Sequence, residues 1–174
     1  MDYRKTKLIV NRLASPRQIT QTIAMKFIAL LCSLLCFSCL SEATSLAQKG
    51  AEFLAINATR DTVNVTATGL QYSILKSGNE SRAGKRDKVK VHYQGKHVNG
   101  EVFNSNYGGK AFQTKLSRVI DGWTEGLQLI GEGGRIVLYI PPDLAYGRRG
   151  SPPVIQRNET LIFIIDLVEI IAKK

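Results

Sequence analysis

The sequence predicts an α+β domain in which a twisted antiparallel sheet wraps around one short helix. Two observations lead to this fold class. Several segments alternate apolar and polar residues with a period of two, which is typical of half-buried strands, and a single segment between them has the spacing of an amphipathic helix. The length of 174 residues and the hydrophobic fraction of 44% suit one compact domain with an additional segment at its front.

Alternating residues predict the first two strands of this sheet. In both segments the apolar residues occupy every second position and the residues between them are mostly polar, so we expect one face of each strand to be buried. The apolar residues are Leu70, Tyr72 and Ile74 in the first segment and Val89, Val91 and Tyr93 in the second. The dipeptide Gly78-Asn79 indicates a turn after the first strand.

The dipeptide Asn99-Gly100 predicts a β-hairpin. Both residues tolerate the positive φ angles that a tight two-residue turn needs. We therefore expect the strand that ends near Val98 to fold back into Val102-Phe103.

The predicted helix runs from about Gly122 to Ile130. Ile120, Trp123 and Leu127 are three and four residues apart, which places them on one helical face, and Gly131 follows as a stop signal. No other segment of the body has convincing helical spacing.

Two further strands complete the predicted sheet. Arg135 to Ile140 alternates and is stopped by Pro141-Pro142, because proline cannot donate a ladder hydrogen bond. Thr160 to Ile171 is apolar on both faces over most of its length, which indicates a central strand that the helix covers on one side.

The front of the chain has the features of a secretion signal. An uncharged apolar run covers residues 27–40, and Met25 just before it resembles a natural start, as an alternative to Met1. Fourteen residues are too few for an ordinary membrane-spanning helix but suit a signal core. Small residues allow cleavage after Ala43 or after Ala47, so we expect an exported, periplasmic or outer-membrane-associated bacterial protein.

Two alternatives to cleavage remain open for this leader. The first is lipidation of Cys39, although Cys36 poorly matches the aliphatic residue that bacterial lipoprotein signals usually carry at that distance. The second is a hydrophobic helix that stays in the membrane as an anchor. The resulting domain division is a leader over 1–47, a short polar helix and linker over 48–68, and the folded domain over 69–174.

Charge and cysteine content exclude several classes of function. The net charge is +10, but residues 1–43 hold six Lys/Arg against two Asp/Glu, and the basic residues of the body are interspersed with acidic or apolar ones. We therefore expect no nucleic-acid binding. All three cysteines precede residue 40, which excludes a thiol nucleophile, a zinc-thiolate site and a structural disulfide in the folded part. The two histidines are too few for an all-histidine metal site.

Aromatic residues contributed by separate elements predict a cup-shaped site. They occur in four ordered pieces, which are residues 91–95, Phe103, residues 119–126 and residues 142–147. No nucleophile, metal cluster or phosphate loop accompanies them. Such a site works by shape and by exclusion of water.

From about Gly69 to Ile171 the chain closely resembles the FKBP-type peptidyl-prolyl cis-trans isomerases, in particular the bacterial secreted group that includes the macrophage infectivity potentiator proteins. The resemblance depends on the combination of Gly-Trp-Thr-Glu-Gly-Leu at 122–127 and Thr-Leu-Ile-Phe at 160–163 with Val-His-Tyr at 91–93 and Ala-Tyr-Gly at 145–147. It implies a five-stranded antiparallel sheet around a short helix, a proline pocket between the two, rotation of Xaa-Pro bonds as the activity, and no cofactor or metal.

The resemblance also implies roles for individual residues. Trp123 would form the floor of the proline pocket, and Tyr146 would hydrogen-bond a substrate carbonyl. Tyr93, Phe103 and Phe163 would form walls, with Phe112 as a fourth wall although many relatives place this phenylalanine two residues earlier. Val119 and Ile120, just before the helix, would contribute apolar contact and a backbone N–H for the peptide. Val154 and Ile155 would lie in the loop that overhangs the site.

Asn104 departs from the family pattern, because most members have an aspartate after the phenylalanine. An amide keeps hydrogen-bonding capacity but lacks the negative charge. We therefore expect isomerase activity that is reduced, and the alternative is a chaperone module of the same fold that binds proline segments with little turnover. The expected partners are proline-containing polypeptides and macrolide inhibitors. Since residues 48–68 leave room for only a short helix, we expect a monomer.

Overall fold

The computed structural model describes residues 45–171. Within this range the chain forms two α-helices, α1 (Leu46–Asn57) and α2 (Asp121–Gly126), and two short 3₁₀ turns at Leu116–Arg118 and Pro142–Leu144. The strands are β1 (Asn64–Val65), β2 (Gln71–Lys76), β3 (Lys88–His97), β4 (Val102–Ser105), β5 (Phe112–Lys115), β6 (Arg135–Ile140) and β7 (Leu161–Ile171). The leader, Met25, Cys39 and the predicted cleavage site after Ala43 lie outside the described residues.

All strand pairs of the sheet are antiparallel, in the order β1-β2-β6-β7-β3-β4, and β5 also pairs with β3. The expected fold class is confirmed. The seven strand segments reduce to the expected five when β4 and β5 are counted as one interrupted edge strand and the two-residue β1 is set aside. β4 pairs with β3 around Gly95, and β5 pairs with the part of β3 that ends at Val91. The interruption between β4 and β5 therefore lies beside the middle of β3.

The predicted later strands and the β3–β4 hairpin are present, but the predicted two-residue turn is wrong. The turn covers residues 98–100, and Asn99 does not have a positive φ. β6 has the expected bounds, and β7 begins one residue later than expected and lies between β6 and β3 as a central strand. At the hairpin tip Gly100 has a φ of 89°, and its N–H donates to the carbonyl of His97 at 2.9 Å. A side chain at this position would be strained, which explains the glycine.

Helix α2 is shorter than predicted. It ends at Gly126, although Leu127 and Ile130 are fully buried as their spacing predicts. The reason is that the next backbone hydrogen bonds span three residues, from Gln128 to Glu125 and from Leu129 to Gly126, and tighten the chain into a turn.

One face of β2 was predicted wrongly. Gln71 and Ser73 are buried, with exposed fractions of 5% and 7%, whereas Ile74 is 40% exposed. The cause is the N-terminal segment that covers this side of the strand. The Gln71 amide donates to the carbonyl of Leu54 at 2.8 Å and accepts from the Asn57 amide at 2.9 Å. At this buried face of β2 the side chains are therefore polar ones that hydrogen-bond to the N-terminal segment.

Helix α1 begins at Leu46, two residues before the predicted segment boundary. Ser45 is its N-cap, and its hydroxyl accepts a hydrogen bond from the Gln48 N–H at 3.2 Å. Over residues 45–171, no helix has the length and apolar content to cross a membrane. The same residues contain no group of three His, Cys, Asp or Glu side chains placed to hold a metal ion.

Candidate active site

A cavity of about 290 Å³ lies between α2 and the sheet. Its lining comes from β3, β4, β5, residues 118–120, α2, the loop after β6 and β7, so seven parts of the chain meet there. The lining residues are Tyr93, Phe103, Asn104, Phe112, Arg118, Val119, Ile120, Trp123, Tyr146 and Phe163. The structure thus brings together nine of the eleven predicted site residues, and it adds Arg118.

Trp123 lies at the centre of the aromatic cluster. It is only 4% exposed, and its ring stands at 5.1 Å and 75° from Tyr93 and at 5.2 Å and 88° from Phe163. Phe103 meets Phe163 at 5.6 Å and 89°. Edge-to-face contacts of this kind are the favoured aromatic geometry. They hold the rings in fixed orientations around an apolar space.

Phe112 is the outermost aromatic wall. It lies at the start of β5, is 43% exposed, and its ring is 6.0 Å from that of Tyr93. Although the family pattern puts a phenylalanine two residues earlier, Phe112 reaches the cavity from its own position.

Gly95 makes the close approach of two walls possible. A Cβ atom at this position would lie 2.6 Å from Cζ of Phe103 and 2.8 Å from Cε1 of Phe163. Sequence reasoning missed this residue. The available signal was a glycine inside a predicted strand, which often marks close packing against the backbone.

The segment before α2 is held firmly at the cavity. Leu116 is fully buried, and its carbonyl accepts a hydrogen bond from the Thr124 hydroxyl at 2.6 Å. The carbonyl of Ile120 accepts from the N–H of Trp123 at 3.0 Å. Within residues 45–171 the Ile120 N–H donates to no acceptor, which leaves it available to a bound peptide.

Other polar groups of the cavity also lack protein partners among the described residues. The Trp123 Nε1–H is buried without an acceptor. Burial, and secondarily the neighbouring Tyr146, raises the pKa of Tyr93, so its hydroxyl stays protonated at neutral pH. Tyr146 follows the 3₁₀ turn at Pro142–Leu144 and is 39% exposed at the cavity. These donors surround an otherwise apolar space.

Val154 and Ile155 do not line this cavity, contrary to prediction. Ile155 is buried in the core, and Val154 lines a separate cavity of about 710 Å³ together with Phe103 and His97. The physical reason is that their loop closes on itself. Ser151 and Ile155 exchange two backbone hydrogen bonds, at 2.8 and 3.0 Å, which turn Ile155 inward.

The site therefore has a mainly aromatic lining with unpaired hydrogen-bond donors and carries no Ser, Cys, Lys or carboxylate nucleophile among its lining residues. Such a cavity binds a compact apolar ring and holds the peptide groups beside it. It can favour a less polar conformation of a bound amide over a more polar one.

Comparisons with known proteins agree with this geometry. The family described as FKBP-type peptidyl-prolyl cis-trans isomerase matches residues 79–168, and the domain described as amino-terminal to this isomerase matches residues 38–74. The chain belongs to the FKBP-type peptidyl-prolyl cis-trans isomerase family. The second match extends the similarity to α1, in the segment predicted as a short helix and linker.

Individual relatives point to the same group. The probable FKBP-type isomerase FkpA of Neisseria meningitidis serogroup B is 44% identical over 131 residues, 75% of this chain and 48% of the relative. The outer membrane protein MIP of Legionella longbeachae is 42% identical over 123 residues, 70% of this chain and 53% of the relative. The crystal structure of Escherichia coli FkpA matches with a TM-score of 0.70 and 33% identity, covering 98% of this chain and 82% of that one. The chain spans about half the length of the curated relatives it matches.

Proposed function

We propose that this protein accelerates cis-trans rotation about Xaa-Pro bonds of polypeptides. The observation that carries the proposal is the aromatic cavity of about 290 Å³ with Trp123 at its centre. A proline ring fits such a space by shape. The unpaired donors beside it suit the carbonyl groups that flank a proline.

The chemistry requires no bond cleavage. Rotation about the imide bond faces a barrier of about 18 to 20 kcal/mol because resonance keeps the bond planar. In the twisted transition state the nitrogen becomes pyramidal and charge separation across the amide decreases. An apolar cavity from which the bound proline displaces water disfavours the polar planar state relative to the twisted one, and hydrogen bonds hold the flanking peptide. Each decrease of about 1.4 kcal/mol in the barrier gives a tenfold increase in rate.

In this proposal each lining residue has a role. Trp123 supports the proline ring, while Tyr93, Phe103, Phe112 and Phe163 surround it. The Ile120 N–H and the Tyr146 hydroxyl hold substrate carbonyls. Val119 and the Ile120 side chain add apolar contact.

A protease-coupled assay on a tetrapeptide with a central Xaa-Pro bond tests the proposal. We expect the slow cis fraction to be cleaved faster as protein is added, and a Tyr146→Phe variant to be slower. A rate constant that does not change with protein concentration would contradict the activity.

Asn104 is proposed to limit the rate. It lies opposite Gly95 in the β3–β4 pairing, at the cavity, and its side chain makes no hydrogen bond with residues 45–171. A carboxylate there would add charge that acts on the twisted amide and would accept a hydrogen bond from Tyr93. Asn104→Asp should therefore raise kcat. An unchanged or lower kcat would show that the missing carboxylate does not limit the reaction.

The uncharged Asn104 also favours a second candidate function, in which the cavity holds proline segments with little turnover. The two candidates differ in their dependence on the aromatic centre. If a Trp123→Ala variant still rescues a refolding client as well as the unchanged protein, holding is the main function. If rescue disappears together with isomerase activity, catalysis is the main function.

We further propose an exported protein of a bacterial envelope whose signal is cleaved after Ala43. The name of the Legionella longbeachae relative supports an envelope location. Cleavage after Ala43 would leave the Ser45 cap and the first turn of α1 in place, whereas cleavage after Ala47 would remove both. Intact mass of the protein from cells distinguishes these products from a chain lipidated on Cys39.

The remaining proposals concern assembly and ligands. We propose a monomer that binds proline-containing polypeptides and macrolides in the same cavity. Sedimentation velocity tests the oligomeric state, and we expect a single species with the mass of one chain. Quenching of Trp123 fluorescence by a macrolide tests the shared cavity, because this is the only tryptophan in the chain.

A further inference from the structure

Arg118 is the one charged residue among those that line the aromatic cavity. The other nine are apolar, aromatic or amide side chains. A single positive charge that lines a mainly aromatic cavity acts on any charged group of a ligand that enters it. The sign of that charge therefore matters for substrate choice.

The backbone fixes the position from which the Arg118 side chain extends. Arg118 ends the 3₁₀ turn that fully buried Leu116 begins, and the Thr124 hydroxyl holds the carbonyl of Leu116 at 2.6 Å. Val119 and Ile120 follow directly and line the cavity. The guanidinium stem thus starts from a rigid segment next to the peptide-binding N–H.

The guanidinium itself is exposed and unpaired within the part of the chain that the structure describes. The ion pairs there are Lys90–Glu169, His97–Glu159 and Arg135–Asp166, and none involves Arg118. No carboxylate lines the cavity, where Asn104 supplies an amide. Among the lining residues an acidic group of a ligand would therefore meet one positive charge and no negative one.

We propose that Arg118 makes this site select prolines that have an acidic residue beside them. The inference rests on the proposed isomerase function and names a substrate class for it. An exposed Arg–carboxylate pair contributes modestly, so the expected preference is about two- to fivefold. Because the pair forms equally in the planar and twisted states, the preference should appear in KM and leave kcat little changed.

The test uses three Xaa-Pro tetrapeptides that differ only in Xaa as Glu, Gln or Lys. We expect kcat/KM to decrease in that order, with Glu about threefold above its uncharged isostere Gln. The Glu/Gln ratio should fall towards one in Arg118→Gln and below one in Arg118→Glu. It should also shrink at about 0.5 M salt, where exposed pairs are screened.

Arg60→Gln is the matched control, since it removes the same charge from an exposed turn that does not line the cavity. It should leave the Glu/Gln ratio unchanged. Equal kcat/KM for the Glu and Gln peptides, or a ratio that Arg118→Gln does not alter, would overturn the inference while leaving the isomerase activity established. If no peptide is turned over, the proposed function fails instead. In that case Trp123 fluorescence titrations compare the Kd values of the Glu and Gln peptides, and tighter binding of the Glu peptide would still support charge selection.

Discussion

Two regions of the molecule differ in whether their buried side-chain donors find acceptors. Beneath α1, the Gln71 amide donates to the Leu54 carbonyl and the Asn57 amide donates to Gln71, so both buried donors are satisfied, although the Asn57 Oδ1 has no donor among the described residues. In the aromatic cavity, the Trp123 Nε1–H and the Ile120 N–H have no acceptor among the described residues. Paired buried groups stabilise a fold, while unpaired ones cost free energy unless a ligand satisfies them. The difference separates the region that supports the domain from the region that binds.

The largest expected effect is at the centre of the cavity. Trp123→Ala removes the ring that contacts Tyr93 and Phe163, and truncation of a buried aromatic costs about 3 to 5 kcal/mol of unfolding free energy. We also expect kcat/KM to fall about 100-fold, which corresponds to about 2.7 kcal/mol of transition-state stabilisation. Urea unfolding and the protease-coupled assay measure the two losses.

Trp123→Phe separates these losses because it keeps an aromatic ring in the core. Activity lost with most stability retained would support a direct role in binding. Full activity in Trp123→Phe and in a folded Trp123→Ala protein would refute that role.

Gly95→Ala should be the next most damaging change. Its Cβ would collide with Phe103 and Phe163, and both rings must move. Overpacking of this kind costs about 1 to 3 kcal/mol and distorts the cavity, so we expect lower stability and a raised KM. Gly109→Ala is the control, because its nearest contact would be an ordinary 3.5 Å. Equal kinetics for the two variants would argue against a role for Gly95 in shaping the site.

Gln71→Leu tests the paired region. The change leaves the Asn57 amide without its acceptor, while the Leu54 carbonyl keeps the Ala58 N–H at 3.0 Å. An unsatisfied buried group costs about 1 to 3 kcal/mol. We expect a lower urea midpoint and unchanged kcat/KM at 25 °C. A loss of activity in proportion to stability would show that the two regions are coupled.

The smallest effect concerns the Tyr93 hydroxyl. Burial raises its pKa above the usual 10.0, so above that pH the unfolded chain loses this proton before the folded one does. Tyr93 therefore favours folding below pH 10 and loses that contribution as pH rises further. Burial raises the pKa of Tyr107 as well, so ultraviolet titration should show both tyrosines ionising late. Tyr93→Phe should remove the Tyr93 share of this late component and leave that of Tyr107. A normal titration of all tyrosines would contradict the burial argument.

Local pattern predicted most of the fold but failed where distant parts of the chain intervene. β6, β7 and the Asn99-Gly100 hairpin follow from alternation and turn chemistry, which act over a few residues. The burial of Gln71 does not, because it depends on α1, which precedes the strand by more than a dozen residues. The buried hydrogen bond between the Gln71 and Asn57 amides cannot be predicted from hydrophobic periodicity, because both residues are polar.

The site shows the same division. Resemblance and residue type together predicted the aromatic walls, because their rings have to meet in the fold. Val154 and Ile155 were misplaced, since the backbone bonds of their loop with Ser151 decide which way they turn. Arg118 was missed because an arginine in a loop has no periodic signal, and only its position next to Val119 connects it to the cavity.

Exchange NMR on an Xaa-Pro peptide is the most direct test of catalysed proline isomerisation in the aromatic cavity, because it follows cis-trans exchange itself without a coupled protease. With the protein at a small fraction of the peptide concentration, we expect exchange fast enough to broaden the cis and trans signals or to give exchange cross-peaks between them. A folded Trp123→Ala variant should give much slower exchange. Cis and trans signals that stay as sharp and separate as in the protein-free sample would contradict it.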